Sequence, residues 1–242
     1  MSTLAIIPAA GSGTRMGSGT PKQFLALEGV PIFIHTLRKF IASSAVDDVF
    51  LALRPEEMAR AQAEIDRENF ERPPRLTPGG SSRQETVARA LRQAPRGTQI
   101  VIVHDAVRPF VEPEMIQRIV DAARKEGAAI FAIPTVDTVK QVEHQVIMGT
   151  MPRERIALAQ TPQAFRYDLI HEAFEKAAAE GFHGTDESSL IEHLGSKVAV
   201  LMGSDRNIKI TKPSDLPLAR LYIVQERERL RQPDPIGTPD RA

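Results

Sequence analysis

"LAIIPAAGSGTRMGSGTPKQF", Leu4 to Phe24, sets the pattern for the whole chain. The apolar run Leu4 to Pro8 reads as a strand, and it opens directly onto a turn of small residues. Phosphate sites in α/β proteins lie at this position, just past the carboxyl end of the first strand. Ala9, Ala10, Gly11 and Gly13 leave backbone N–H groups open to close approach by an anion. Arg15 and Lys22 supply charge where the turn has none, and Pro21 stiffens the approach to Lys22. The turn is not a P-loop, because no Gly-Lys-Ser/Thr follows at the required spacing. Nor is it a dinucleotide fingerprint, since the third glycine of "GSGTRMG" falls one residue too far. On local residues alone, a tight turn with two solvated cations stays open beside an anion cradle.

Outward from this stretch, strands and helices alternate. "PIFIHTLRKFIAS" places Ile32, Leu37, Phe40 and Ile41 near helical spacing, with Pro31 in a first turn. "DDVFLAL" (Asp47 to Leu53) reads as a strand, and "PEEMARAQAEIDREN" as a helix with acids in its first turn. "RQETVARALRQA" is a further helix, "QIVIVHDA" (Gln99 to Ala106) a buried strand, and "PEMIQRIVDAARKEG" (Pro113 to Gly127) a helix with Pro early and Gly late. "AAIFAIP" and "KVAVLMG" are strands. Helical patterns cover Tyr167 to Glu180, Asp186 to Leu194 and Ser214 to Leu230. The alternation predicts an α/β fold with a mostly parallel sheet covered by helices on both faces. Thr135 to Ala159 breaks the rhythm with two period-2 stretches, and it predicts a β-arm leaving the core. Such an arm has little of its own to bury against, so a partner subunit is a natural cover. The Pro-rich end, 231–242, is expected to fray.

Composition bounds the rest. The 242 residues suit one large α/β domain or two small ones, and the formal net charge of +0 gives no case for nucleic acid as a partner. Any anion site must be local. There is no cysteine, which excludes disulfides, thiolate metal sites and thiol nucleophiles and fits a reducing compartment. No apolar run reaches the roughly 20 residues of a membrane span. A cytoplasmic protein with no membrane partner is expected.

Four further stretches carry candidate chemistry. "GGSSRQETV" (Gly79 to Val87) is a glycine turn entering a helix. Ser81 or Ser82 suits the cap, with Glu85 at capping-box distance from Ser82. Its amides and Thr86 also suit the polar edge of a base. "VIVHDAVRPF" (Val101 to Phe110) ends a strand in His104, Asp105 and Arg108. A carboxylate there suits Mg²⁺ or a hydroxyl, and Arg108 is a phosphate-type donor. His104 reads as structural. "GSDRNIKIT" (Gly203 to Thr211) sets Lys209 between two isoleucines, where an edge-strand lysine that resists aggregation is the local reading. Arg153, in "PRER", is unremarkable on local grounds.

Taken in order, "PAAGSGTRMG…PKQF", "GGSSRQETV", "VHDAVRPF", "DTVK", "TPQAF", "TDESS" and "NIKIT" resemble the 2-C-methyl-D-erythritol 4-phosphate cytidylyltransferase family from about Leu4 to about Gln225. The resemblance implies a Rossmann-like fold with a projecting β-arm used for dimerisation. It implies one nucleotidyltransferase domain over 1–230, with the arm at about 135–159. The activity implied is transfer of CMP from CTP to a sugar-alcohol phosphate, methylerythritol phosphate, in a homodimer with a shared active site and with Mg²⁺ or another divalent cation.

Carried over by motif, Pro8, Ala9, Ala10, Gly11 and Gly13 look like the nucleotide loop. Arg15 and Lys22 look like the stabilisers of the transition state. Gly80 and Thr86 match cytosine-reading positions, and Ser81 stands where family members often carry Asp. Asp105 and Ala106 match the ribose and substrate region. Arg108, Thr138, Thr161, Thr185 and Lys209 match the sugar-phosphate pocket, with Lys209 also catalytic. Arg153 matches a catalytic arginine delivered by the partner's arm. A metal at Asp105 would be held mostly through the CTP phosphates. The nearest rival is a ribitol-5-phosphate cytidylyltransferase, but those enzymes tend to open with "LAGG" and to lack the lysine that closes "DTVK". A non-catalytic nucleotide sensor would be expected to lose Lys22 or Lys209, and both are present.

Overall fold

The structure is a computed structural model that describes residues 2–11 and 20–231. Of the expected tail, 231–242, Arg231 ends the last helix and 232–242 lie outside the described residues. The chain opens with β1 (Ser2–Pro8), a small hairpin of β2 (Ala26–Leu27) and β3 (Val30–Pro31), and α1 (Ile32–Ala42). Next come β4 (Asp48–Leu53), α2 (Met58–Asp66), β5 (Arg75–Pro78), α3 (Arg83–Leu91), β6 (Thr98–Val103), α4 (Pro113–Glu126) and β7 (Ala128–Pro134). The remainder is β8 (Val139–Glu143), β9 (Val146–Met151), β10 (Ala157–Arg166), α5 (Tyr167–Glu180), α6 (Glu187–Leu194), β11 (Ala199–Met202) and α7 (Leu216–Arg231).

Seven strands form the central sheet in the order β11-β7-β10-β6-β1-β4-β5. All its described pairings are parallel except those of β10, which runs against both β6 and β7. The period-2 side-chain alternation of a strand divides β1 between two cores. Ala5 and Ile7 face α1, α2 and α4, where Phe33, Leu37, Phe40, Ile65 and Ile119 are buried. Leu4 and Ile6 face α3, α5 and α6, with Val87, Phe174 and Ile191. A third cluster seats α7 through Ala219 and Ile223 against Val107, Phe110 and Ile210. Burial on both faces explains why the central strands read as unbroken apolar runs.

The boundary signals act as their chemistry requires. Ser82 caps α3 by accepting from the Glu85 amide at 3.1 Å, and Asp186 caps α6 by accepting from the Ser189 amide at 3.0 Å. Gly127 ends α4 with φ 89°, a conformation that favours glycine. β8 and β9 pair only with each other among the described residues, joined at His144 and Gln145, both with positive φ. Val142, Val146, Ile147 and Met148 on this arm are exposed.

Two expectations need correction, and one strand adds to the expected set. The arm is shorter than Thr135 to Ala159, because residues from Ala157 onward enter the central sheet as β10. Gln160, Thr161 and Gln163 make that strand read as a polar loop, yet all three are buried, with their side chains bonded to neighbouring segments. β5 shows no apolar run in sequence and forms by pairing with β4. Lys209 is not in a strand, so it is no edge-strand lysine; its segment is irregular and turns the ammonium toward Asp105.

Candidate active site

The carboxyl ends of β1, β4, β5 and β6 converge on one cleft of about 440 Å³. Pro8, Ala9, Ala10 and Gly11 form its floor, with Lys22 and Arg54 beside them. Two bonds fix the entry to the floor: the Ala9 amide donates to the Ala52 carbonyl at 2.7 Å, and buried Gln23 donates to the Ala9 carbonyl at 2.7 Å. Gly13 and Arg15 lie outside the described residues.

The "GGSS" turn makes the opposite wall. The Gly79 amide donates to the Leu53 carbonyl at 2.6 Å, and a Cβ added at Gly79 would sit 2.6 Å from the Cβ of Ala10. The two loops therefore touch through their smallest residues, and that contact sets the width of the cleft. Thr86 Oγ1 accepts from the Gly80 amide at 3.0 Å and donates to the Ser82 carbonyl at 2.7 Å. Glu85 folds back over the turn and accepts from both the amide (2.7 Å) and the hydroxyl (2.6 Å) of Ser81. Those bonds, with Arg89, hold the Glu85 carboxyl down at about 2. Ser81 thus spends its side chain on Glu85.

Asp105, just past β6, is the electrostatic centre. Its Oδ2 lies 2.9 Å from Lys209 Nζ and 3.4 Å from Arg108 Nε, and its Oδ1 lies 3.4 Å from Arg83 Nε. Burial works to raise its pKa, but the charges of Arg83, Lys209 and Arg108 outweigh that and keep it ionised well below the usual carboxylate range. The Asp105 amide donates to Thr161 Oγ1 at 3.0 Å. Arg108 also donates to the Asn207 carbonyl at 2.7 Å, and Asn207 donates to the Thr161 carbonyl at 2.8 Å. This chain of bonds links β6, β10 and the Lys209 segment. His104 is buried against Phe40, with Nε2 3.0 Å from the Arg108 carbonyl. Desolvation pushes its pKa down to about 4, so it is neutral at pH 7 and structural, as its position suggested.

A second recess of about 220 Å³ adjoins the cleft and shares Arg83, Asp105 and Lys209 with it. Arg108, Thr161 and Thr185 line this recess. The structure therefore brings together Pro8, Ala9, Ala10, Gly11, Lys22, Gly80, Ser81, Thr86, Asp105, Ala106 and Lys209 at the cleft. It places Arg108, Thr161 and Thr185 next door. Thr138 and Arg153 are exposed at the base of the arm and line neither space; Arg153 donates to the Val136 carbonyl at 3.1 Å.

As a metal ligand Asp105 fits poorly, since both its oxygens face cations. Among the described residues no group of three His, Asp or Glu side chains could hold an ion. The site's described donors do not suit a resident metal.

Sequence reading overlooked Arg83, Glu187, Gln163, Asn207 and Arg54. Arg83 pairs with Glu187 at 2.7 Å, and Glu187 is only 1% exposed. Burial pushes the Glu187 carboxyl up, and Arg83 opposes that shift. Four of the five sit inside "GGSSRQETV", "TDESS", "TPQAF" and "NIKIT"; the signal was a charged or amide side chain beside a chosen neighbour. Arg54, from "LRPEE", had no signal beyond closing a strand.

A family model described as "IspD: 2-C-methyl-D-erythritol 4-phosphate cytidylyltransferase" matches residues 3–225. The 2-C-methyl-D-erythritol 4-phosphate cytidylyltransferase of Acidobacterium capsulatum is 50% identical over 95% of this chain and 100% of its own length. That of Solibacter usitatus is 47% identical over 95% and 98%. Among solved structures, the 4-diphosphocytidyl-2C-methyl-D-erythritol synthase of Anaerococcus prevotii superposes with a TM-score of 0.82 at 30% identity, covering 92% of this chain and 96% of that one. The Thermus thermophilus 2-C-methyl-D-erythritol 4-phosphate cytidylyltransferase gives 0.74 at 34% identity, covering 92% and 98%.

Proposed function

The chain belongs to the 2-C-methyl-D-erythritol 4-phosphate cytidylyltransferase family, and from that premise we propose how its site transfers CMP from CTP to 2-C-methyl-D-erythritol 4-phosphate. The products are 4-diphosphocytidyl-2-C-methyl-D-erythritol and pyrophosphate, and the step serves isoprenoid precursor synthesis. A phosphate oxygen of the acceptor attacks the α-phosphorus of CTP while the bond to the bridging oxygen of the β-phosphate breaks. The nucleophile is already an anion, so no general base is required. Repulsion between two polyanions is the barrier, and positioned positive charge is the remedy.

CTP occupies the larger cleft. The small-residue floor lets its phosphates approach backbone amides, and the turn at Gly79–Ser82, with Thr86, reads the base. Lys22, together with Arg15, neutralises the charge that develops on the α-phosphate and the leaving pyrophosphate. A guanidinium can fork across two oxygens, and an ammonium acts as a point charge. The acceptor phosphate occupies the neighbouring recess against Arg108, Thr161, Thr185 and Lys209. Asp105 keeps Lys209 and Arg108 aimed at the junction of the two spaces and can take a substrate hydroxyl. Ser81 contributes its backbone to base reading, because its side chain is committed to Glu85. A divalent cation enters as part of the substrate, on the triphosphate of MgCTP.

The chain acts as one nucleotidyltransferase unit, cytoplasmic and homodimeric. A partner subunit covers the apolar arm, and the arm carries Arg153 and Thr138 to the partner's recess. No helix among the described residues is long and apolar enough to cross a membrane.

The observation that carries this reading is the cluster of Lys209, Arg108 and Arg83 on Asp105 at the junction of cleft and recess. The test is pyrophosphate release with CTP and each of three acceptors: methylerythritol phosphate, ribitol 5-phosphate and a hexose 1-phosphate. Turnover should be greatest by far with the first. Equal or faster turnover of ribitol 5-phosphate would overturn the assignment.

A further inference from the structure

Two side chains at the start of α3 join parts of the molecule about a hundred residues apart. Arg83 Nη1 donates to Glu187 Oε1 at 2.7 Å, while Arg83 Nε faces Asp105 at 3.4 Å. Gln84 makes a two-way bond with the same distant loop: Nε2 donates to the Phe182 carbonyl at 3.1 Å, and Oε1 accepts from the Gly184 amide at 3.0 Å. Phe182 to Asp186 is the loop that carries Thr185 into the second recess, and Glu187 follows it as the first residue of α6. The loop is irregular and belongs to no sheet, so its backbone groups need side-chain partners. On its other side Gln163 of β10 donates to Asp186 at 2.7 Å and completes the clamp. The residues immediately before Arg83 form the wall of the nucleotide cleft.

We propose that Arg83 and Gln84 are positioning residues that tie the Phe182–Asp186 loop and the first residue of α6 to the Gly79–Ser82 turn, so that nucleotide in the cleft tightens binding of the sugar phosphate in the recess. Neither needs to touch reacting atoms. Nucleotide contacts order the turn, the turn holds the first residues of α3, and these hold the loop. The acceptor then meets a loop whose ordering cost has already been met. The buried Glu187 carboxylate makes the tie specific, because leaving it without Arg83 would strand a charge in the interior.

This inference rests on the cytidylyltransferase reading, and the experiment separates the two. Calorimetric titration measures methylerythritol phosphate binding with and without an α,β-methylene analogue of CTP, in the wild type and in Gln84→Met. Methionine keeps the volume and removes both hydrogen bonds. In the wild type the analogue should tighten acceptor binding by about 5- to 150-fold, the usual span of coupling between sites. In Gln84→Met that enhancement should fall to within about twofold of none, while the analogue's own affinity stays within about twofold of wild type. Glu187→Gln should behave alike, and if it fails to fold, Gln84→Met alone decides. Wild-type enhancement retained in Gln84→Met overturns the proposal. So does a parallel fall in both affinities, which would mark a merely structural role, or an analogue without effect on the wild type. A wild type that neither binds nor turns over the acceptor removes the cytidylyltransferase reading itself.

Discussion

His104 gives the protein a stability that acid should remove in a defined window. The imidazole is fully buried, its Nε2 engages the Arg108 carbonyl, and its Nδ1 has no hydrogen-bond partner among the described residues. Its folded pKa is lowered from an ordinary 6.5 to about 4, chiefly by desolvation. Between those two values the unfolded chain binds a proton that the native state refuses. The stability linked to this group is therefore complete above pH 6.5 and drains away as pH falls toward 4. A gap of about 2.5 units at 1.36 kcal/mol each corresponds to roughly 3 kcal/mol at pH 4, and to about 2 kcal/mol at pH 5. His104→Leu removes the titration but leaves the Arg108 carbonyl bare, at a fixed cost of about 1–3 kcal/mol. Urea unfolding of wild type and variant at pH 7, 6, 5 and 4.5 reads the difference directly. The variant should be the less stable at pH 7, and its deficit should shrink or reverse by pH 5. Two stability profiles that run parallel from pH 7 to 4.5 would refute a neutral, desolvated His104.

Lys22→Ala and Arg15→Ala should each cut turnover by about a hundredfold or more, the scale of losing one electrostatic stabiliser, in a pyrophosphate-release assay. Near-wild-type turnover in either would remove that residue from the chemistry. Gly79→Ala should push the "GGSS" turn off Ala10, costing about 1–3 kcal/mol by overpacking and raising the KM for CTP, read by thermal melts and steady-state kinetics. An unchanged KM would mean that this contact does not set the cleft width. Mixing Arg153→Ala subunits with Lys22→Ala subunits should restore part of the activity that each lacks alone, and heterodimers with no recovery would argue against a site shared between subunits.

Repetition of short apolar runs and helical patterns was enough to specify an α/β sheet covered on both faces, because burial on two sides demands that pattern from β1, β4 and β6 whatever surrounds them. Glycine and serine at Gly79–Ser82 likewise marked a turn and a cap, since those preferences are local. β10 was not legible. Its Gln160, Thr161 and Gln163 look like loop residues until Asp105, Asp186 and the 204–207 turn are brought alongside as partners. Lys209 looked like an edge lysine because it sits between Ile208 and Ile210, and the nearby Asp205 is not the carboxylate it meets. Its partner Asp105 is more than a hundred positions away, and only the crossing of chain segments at the end of β6 sets the two 2.9 Å apart. Arg83, Gln84 and Glu187 follow the same rule: hydrogen bonds and ion pairs act over a few ångströms of space, and distance along the chain says nothing of which side chains will share that space.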